Sequence, residues 1–168
     1  MRVVKADDYQ TWFIEEDGFG ILIDPWLDNK LNPGSSVLLQ RERRENISLS
    51  QEELDKVEVV IITAPFIDHL HMPSIKKLNK KVKIITTKKV KTILIKNKID
   101  NPIARIDHHV TDLGPFKLST FPAGFPYSWS AFCFFLENRE GKTIFHEGHK
   151  ANFRTLKKLK KKCDVVLI

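Results

Sequence analysis

"VVIITAPFIDHLHMPSI", residues 59–75, decides how the chain is read. It opens on an apolar, β-branched run of strand length, breaks at Pro65, and then sets Asp68, His69 and His71 within four positions. A strand buried on both faces has this near-continuous apolar character rather than a strict alternation. A carboxylate and imidazoles crowded just after it pose the question of a metal-binding loop, whole or partial.

Working outward, "MPSIKKLNKK" reads as a short amphipathic helix, "VKIITT" as a second strand and "KKVKTILIKN" as a second helix. Strand, helix and strand in that order imply a right-handed parallel crossover. Upstream the pattern is different: "RVVKA" and "TWFIEE" alternate, "DGFG" is a turn whose glycines can take positive φ, and "ILID" returns, which predicts an antiparallel start. Residues 25–50 form a long connection with Pro25, Pro33 and Gly34 and no sustained period. At its end Ser50 and Glu53 form a capping box for a short helix, "QEELDK".

After Pro102 strands return as "IARID", "FKLSTFPA" and "AFCFFLE", then, across the turn "NREGK", as "TIFHE". "ANFRTLKKLKKK" reads as a helix with Phe153, Leu156 and Leu159 along one side, and "DVVLI" as a last buried strand. The whole predicts two packed mixed sheets flanked by helices.

Composition agrees with one globular domain of 168 residues, 42% hydrophobic and 29% charged. The N-terminus mixes charges with apolar residues, and no later stretch is apolar enough to cross a bilayer, so a soluble cytoplasmic protein is expected. Cys133 and Cys163 lack a C-x-x-C spacing, which removes a redox motif or cysteine zinc knuckle and leaves two reduced, structural thiols as the expectation. The net charge of +7 is compatible with a polyanionic partner, but the lysines are scattered and no aromatic-plus-basic stripe marks a single-stranded nucleic-acid site. "RTLKKLKKK" reads most simply as the solvated face of the last helix.

Taken together, these residues resemble the metallo-β-lactamase superfamily, an αββα sandwich of mostly zinc-dependent hydrolases, over essentially the whole chain. "ILIDPWL" (21–27) is similar to that family's early strand and its D-P-W-L corner. Residues 59–78 are similar to the strand, loop and helix carrying its H-x-H-x-D-H signature, and "GKTIFHEGHKANF" (141–153) to the later strand ending near a metal-bridging aspartate. Laid on the signature, the chain reads Ala64, Pro65, Phe66, Ile67, Asp68, His69, so the first two histidines are replaced by side chains with no lone pair to give. "FPAGFPYS" (121–128), where the third ligand of the first site would stand, has no histidine either. The resemblance therefore implies loss of the first metal site.

For the second site it implies Asp68 and His69, with Glu147 or His149 in place of the bridging aspartate and the register between those two open. The family's last histidine would fall beyond Ile168, so the expected single domain, 1–168, is one without the usual C-terminal portion, as a fragment or a naturally shortened protein. A subgroup of the family lacking H-x-H keeps D-H-x-H with a later E-x-H, which Asp68, His69, His71, Glu147 and His149 fit. The implied metal ligands are Asp68, His69, Glu147 and His149, with Asp68 also the catalytic carboxylate. The implied cofactor is one zinc ion, with iron, manganese or no metal left open.

His69 and His71 point apart on a helix and face one ion only in a loop, which assigns His71 to a supporting role, holding Asp68 or a water. Asp24, beside Pro25, is expected to hold the loop beneath the site by accepting from backbone donors, with Trp26 in the core. Bland alternatives stand beside these: Asp68 as a helix cap, and His69 as a buried, hydrogen-bonded histidine. His108 and His109 are expected on an exposed loop, and His146 on the face opposite Glu147. Three functions remain open: a divergent metal-dependent hydrolase whose metal-bound water attacks an ester, amide or phosphoester of a small-molecule substrate; an inactive binding or remnant protein with a degenerate active site; and a basic nucleic-acid-associated protein.

Overall fold

The structure, a computed structural model, describes residues 1–7, 9–31, 41–42 and 46–168. Pro33 and Gly34 of the long connection lie outside the described residues.

The chain opens with β1 (Arg2–Lys5), β2 (Trp12–Glu16) and β3 (Phe19–Ile23), an antiparallel meander. Its tight turn puts Asp17 and Gly18 at φ 53° and 78°, the pair of positive values that suits the twist of a two-residue hairpin. Two short strands, β4 (Lys30–Leu31) and β5 (Arg41–Glu42), pair with each other. The predicted capping box starts α1 (Gln51–Asp55): Glu53 N donates to Ser50 Oγ at 3.2 Å and Ser50 N to Glu53 Oε2 at 2.7 Å.

Next come β6 (Val57–Ile62), α2 (Met72–Lys77), β7 (Lys83–Thr86), α3 (Lys88–Lys96) and β8 (Ile103–Arg105). Strands β3, β6, β7 and β8 pair in parallel, giving a six-stranded mixed sheet in the order β1-β2-β3-β6-β7-β8. The second half supplies β9 (Val110–Leu113), β10 (Phe116–Pro122), β11 (Phe132–Asn138), β12 (Thr143–His146), α4 (Phe153–Leu159) and β13 (Val165–Leu167). These strands form a five-stranded sheet in the order β13-β12-β11-β10-β9, antiparallel except for the β12–β13 pair.

Alternating side chains build the layers. Ile21, Ile23, Val59 and Ile61 of the first sheet meet Phe132, Phe134, Leu136 and Ile144 of the second in the central core. On the other face of the first sheet, Leu22, Val60, Ile62 and Ile84 pack with Ile75 of α2 and Val90 and Leu94 of α3. The outer face of the second sheet packs Phe121, Cys133, Phe135 and Phe145 against Leu156 of α4. The expected αββα sandwich is the observed one, and the apolar runs Val59–Ile62 of β6 and Phe132–Leu136 of β11 are continuous because both their faces are covered.

Two expectations need correction, and one strand has no counterpart among them. Only Leu156 of α4 reaches the sheet, while Phe153 and Leu159 are exposed. In β13 only Leu167 is buried, because this strand forms one edge of its sheet. Strand β9, at the other edge, is polar and mostly exposed, so it leaves no apolar signal in the sequence. Among the described residues no helix is long and apolar enough to cross a membrane.

Candidate metal centre

The site forms where β3, β6 and β12 end, and each element contributes through the first residues after its strand. At the end of β3 the chain turns through Asp24 at φ 44°, a left-handed conformation that aspartate tolerates better than most residues. Asp24 is buried, yet its carboxylate is fully engaged. It accepts from Thr63 N at 2.7 Å, Thr63 Oγ1 at 2.6 Å and His69 Nδ1 at 2.7 Å. The expected backbone donor is thus Thr63, and the larger consequence lies at His69. With Nδ1–H donating to Asp24, the ring presents the lone pair of Nε2 outward, the carboxylate–histidine arrangement by which metal ligands are oriented.

After β6 the chain makes a turn in which His69 N and Leu70 N both donate to Phe66 O, at 2.9 and 2.7 Å. This turn brings His69 back beneath the strand end and leaves Asp68 beside it. Asp68 Oδ2 lies 3.5 Å from His69 Nε2 and accepts from Tyr9 Oη at 3.4 Å. The helix that follows starts later, with His71 as its N-cap residue, so Asp68 is not a cap.

The third contribution comes from the loop after β12. Gly148 takes φ 64°, and a Cβ there would lie 2.1 Å from Phe132 O, so only glycine lets this loop close on β11. The next residue, His149, sets Nδ1 3.0 Å from His69 Nε2, between the rings of Phe66 and Tyr127, each with its centroid 4.4 Å away. One ligand atom each from Asp68, His69 and His149 lies within 4.8 Å of the other two.

Of the sequence candidates, then, Asp68, His69 and His149 converge. Glu147 does not join them: it is His149 that faces the cluster. His71 stands outside the trio, its Nδ1 2.7 Å from Ser74 Oγ, which in turn accepts from Leu27 N at 2.7 Å. Through Ser74 it braces α2 against the 25–27 corner. His108 and His109 are exposed and apart from the site.

His146 faces the interior, opposite Glu147, stacked on Phe134 at 5.1 Å and accepting from Gly148 N at 2.9 Å through Nδ1. Its Nε2 is buried without a hydrogen-bond partner among the described residues. Cys133 is buried and directs Sγ to Glu147 O at 3.0 Å, whereas Cys163 is exposed and not the structural thiol expected.

The electrostatics follow from burial and from the two carboxylates. Burial opposes charge on His69, but the charge and hydrogen bond of Asp24, with help from Asp68, outweigh it and raise its pKa. His149 is shifted down, by burial and by His69, against the pull of Asp68 and Asp24. Burial also pushes His146 down to about 4, and raises Glu147. The lowered values keep His149 and His146 neutral at neutral pH, and with His69 Nδ1–H donating to Asp24 the proton of the His69–His149 contact is the one His149 Nδ1 donates to His69 Nε2. A cation would replace that proton between two imidazoles and a carboxylate, a donor set that fits zinc, and iron or manganese as well. Tyr9, Thr63, Phe66 and Tyr127, all in contact with the cluster, had no signal in the sequence beyond Thr63 ending its strand.

Comparison with known proteins places this arrangement. A family model described as "Beta-lactamase superfamily domain" matches residues 5–168. No curated protein matches in sequence. Among solved structures, an isothiocyanate hydrolase from Delia radicum gut bacteria superposes with a TM-score of 0.76 at 18% identity, over 98% of this chain and 70% of that one. A possible metal-dependent hydrolase from Veillonella parvula gives 0.72 at 18% identity, over 93% of this chain and 66% of that one. The metallo-beta-lactamase fold protein YhfI from Bacillus subtilis gives 0.70 at 13% identity, over 98% and 69%. This chain therefore spans about two-thirds of the length of these structures. Sheet order, the position of the cluster at the strand ends and the match over residues 5–168 lead to one conclusion: the chain belongs to the metallo-β-lactamase superfamily.

Proposed function

We propose that this protein is a hydrolase that works with a single divalent metal held by Asp68, His69 and His149. The observation that carries the reading is the convergence of those three ligand atoms within 4.8 Å, with His69 oriented from behind by Asp24. A divalent ion in that position supplies a Lewis acid that brings the pKa of water toward about 7 and polarises a carbonyl or phosphoryl oxygen. The chain's own residues do the rest. Asp24 and Thr63 fix the tautomer of His69, Tyr9 donates to Asp68 and sets its rotamer, and Phe66 and Tyr127 clamp the ring of His149 and keep water from its faces.

One metal, rather than two, follows from the residues at the first site. Ala64 is buried and Phe66 occupies its neighbourhood with a ring packed on His149. The reaction class is hydrolysis of an ester, amide or phosphoester, tested by assaying aryl acetates and aryl phosphodiesters with zinc-, manganese- and iron-loaded protein. Turnover that is lost in His149→Ala supports the reading. Equal background rates in both proteins favour a second one, a binding protein, for which the aromatic filling of the first site is the specific support.

A further inference from the structure

The loop joining β10 to β11 carries two large, exposed aromatic side chains: Phe125 is 84% exposed and Trp129 94%. Trp129 is not isolated. Its indole forms one wall of a groove of about 390 Å³ whose other wall is one face of α3: Lys88, Lys89, Thr92, Ile93 and Lys96. Residues 88, 92 and 96 recur at helical spacing, so their side chains line up along the groove. Among the described residues Lys88, Lys89 and Lys96 have no acidic partner, whereas Lys30, Lys56, Lys77, Lys80 and Lys161 are all paired. Three uncompensated ammonium groups facing an open indole form the aromatic-plus-basic combination that no continuous stretch of the sequence contains. Tertiary structure assembles it from segments some forty residues apart.

Both walls belong to segments with a contact to the metal centre or to the strand that leads into it. The aromatic loop also carries Tyr127, which packs on His149, and Gly124 N ties it to Lys150 O at 2.9 Å. Helix α3 starts from Thr87, directly after Thr86, whose Oγ1 donates to Ile62 O beside Thr63. Each wall of the groove is thus tied, through one end, to an element that carries the metal centre. Planar faces stack on an indole, and phosphates seek ammonium groups at intervals along a strand; a flexible polymer that offers both is single-stranded nucleic acid. A lipid surface fits less well, because the indole faces lysines across a groove instead of standing alone on a flat face.

We propose that this groove binds a single-stranded oligonucleotide, with a base on Trp129 and phosphates on Lys88, Lys89 and Lys96. The link of both walls to elements of the metal centre would make a phosphodiester the substrate class, a step that rests on the hydrolase reading, while the binding itself does not.

The test is fluorescence anisotropy of a labelled twelve-nucleotide single strand, at several salt concentrations, with vesicles of phosphatidylcholine and phosphatidylserine in parallel. The expected result is salt-sensitive binding that Trp129→Ala weakens by about five- to a hundredfold and Trp129→Phe largely keeps. The triple variant Lys88→Ala/Lys89→Ala/Lys96→Ala should flatten the slope of log K against log salt by about 2. All four substituted positions are exposed, and circular dichroism confirms that the variants fold. His69→Ala should bind the strand as the wild type does, and a wild type that binds the strand but turns nothing over condemns the hydrolase reading while leaving the groove intact. No binding at low salt, binding that neither variant weakens, or binding to vesicles without binding to the oligonucleotide overturns the proposal.

Discussion

Asp24 shows how much of the site depends on a residue that touches no substrate. Its buried carboxylate has three donors, and the bond to His69 Nδ1 decides which nitrogen of that ring is available. Asp24→Asn keeps the left-handed backbone but loses the charge, and metal affinity should fall by about 10- to 100-fold in a zinc titration. His146 gives a second prediction, about acid. Its pKa in the folded protein, about 4, lies below the ordinary value of 6.5, so the unfolded chain binds the extra proton between those values. The stability owed to keeping it neutral is present above about pH 6.5 and is lost as pH falls toward about 4, on the order of 3 kcal/mol in all. His69 runs the other way: its raised pKa gives a contribution that is full below about pH 6.5 and fades as pH rises through the folded value. Urea midpoints measured from pH 4 to 7 should therefore fall steeply on the acid side, and His146→Phe should flatten that limb. Of these residues the sequence marked Asp68, His69 and His149, and left the last in balance with Glu147. Strand parity could say that His146 and Glu147 face opposite ways but not which faces in, because that depends on where β12 sits in its sheet.

At the scale of elements, the loop after β12 is held by a single backbone requirement. Gly148 has positive φ and lies against Phe132 O, so Gly148→Ala must either push β11 away or shift His149. Thermal or urea unfolding should show a loss of at least about 2 kcal/mol, accompanied by weaker metal binding. Elements whose cause is local were legible in the sequence. The Ser50–Glu53 box starts α1 as predicted, the Asp17–Gly18 turn closes its hairpin, and the apolar runs of β6 and β11 are the strands buried on both faces. Elements whose burial is decided by position were not. Strands β9 and β13 are edges, one polar and one apolar but mostly exposed, and α4 sets only Leu156 on the sheet. The same limit hid the groove between Trp129 and α3, since neither segment alone combines rings with a row of lysines.

In the whole molecule, the two sheets bring Asp68 and His69 from one half of the chain against His149 from the other. A metal bound there links the halves, and it should stabilise the fold by mass action, by about 2.7 kcal/mol at a free concentration one hundred times Kd. For a domain of this size that corresponds to a rise in Tm of roughly 5 to 10 °C, which differential scanning calorimetry with and without zinc would read and which His149→Ala should abolish. The measurement that tests the central claim most directly is metal content by mass spectrometry, on tag-free protein purified without chelator, for the wild type beside His69→Ala, His149→Ala and His71→Ala. The account predicts close to one zinc, iron or manganese ion per chain in the wild type and in His71→Ala, and none in the other two. A wild type without metal, or one whose metal survives loss of His69 or His149, would contradict it.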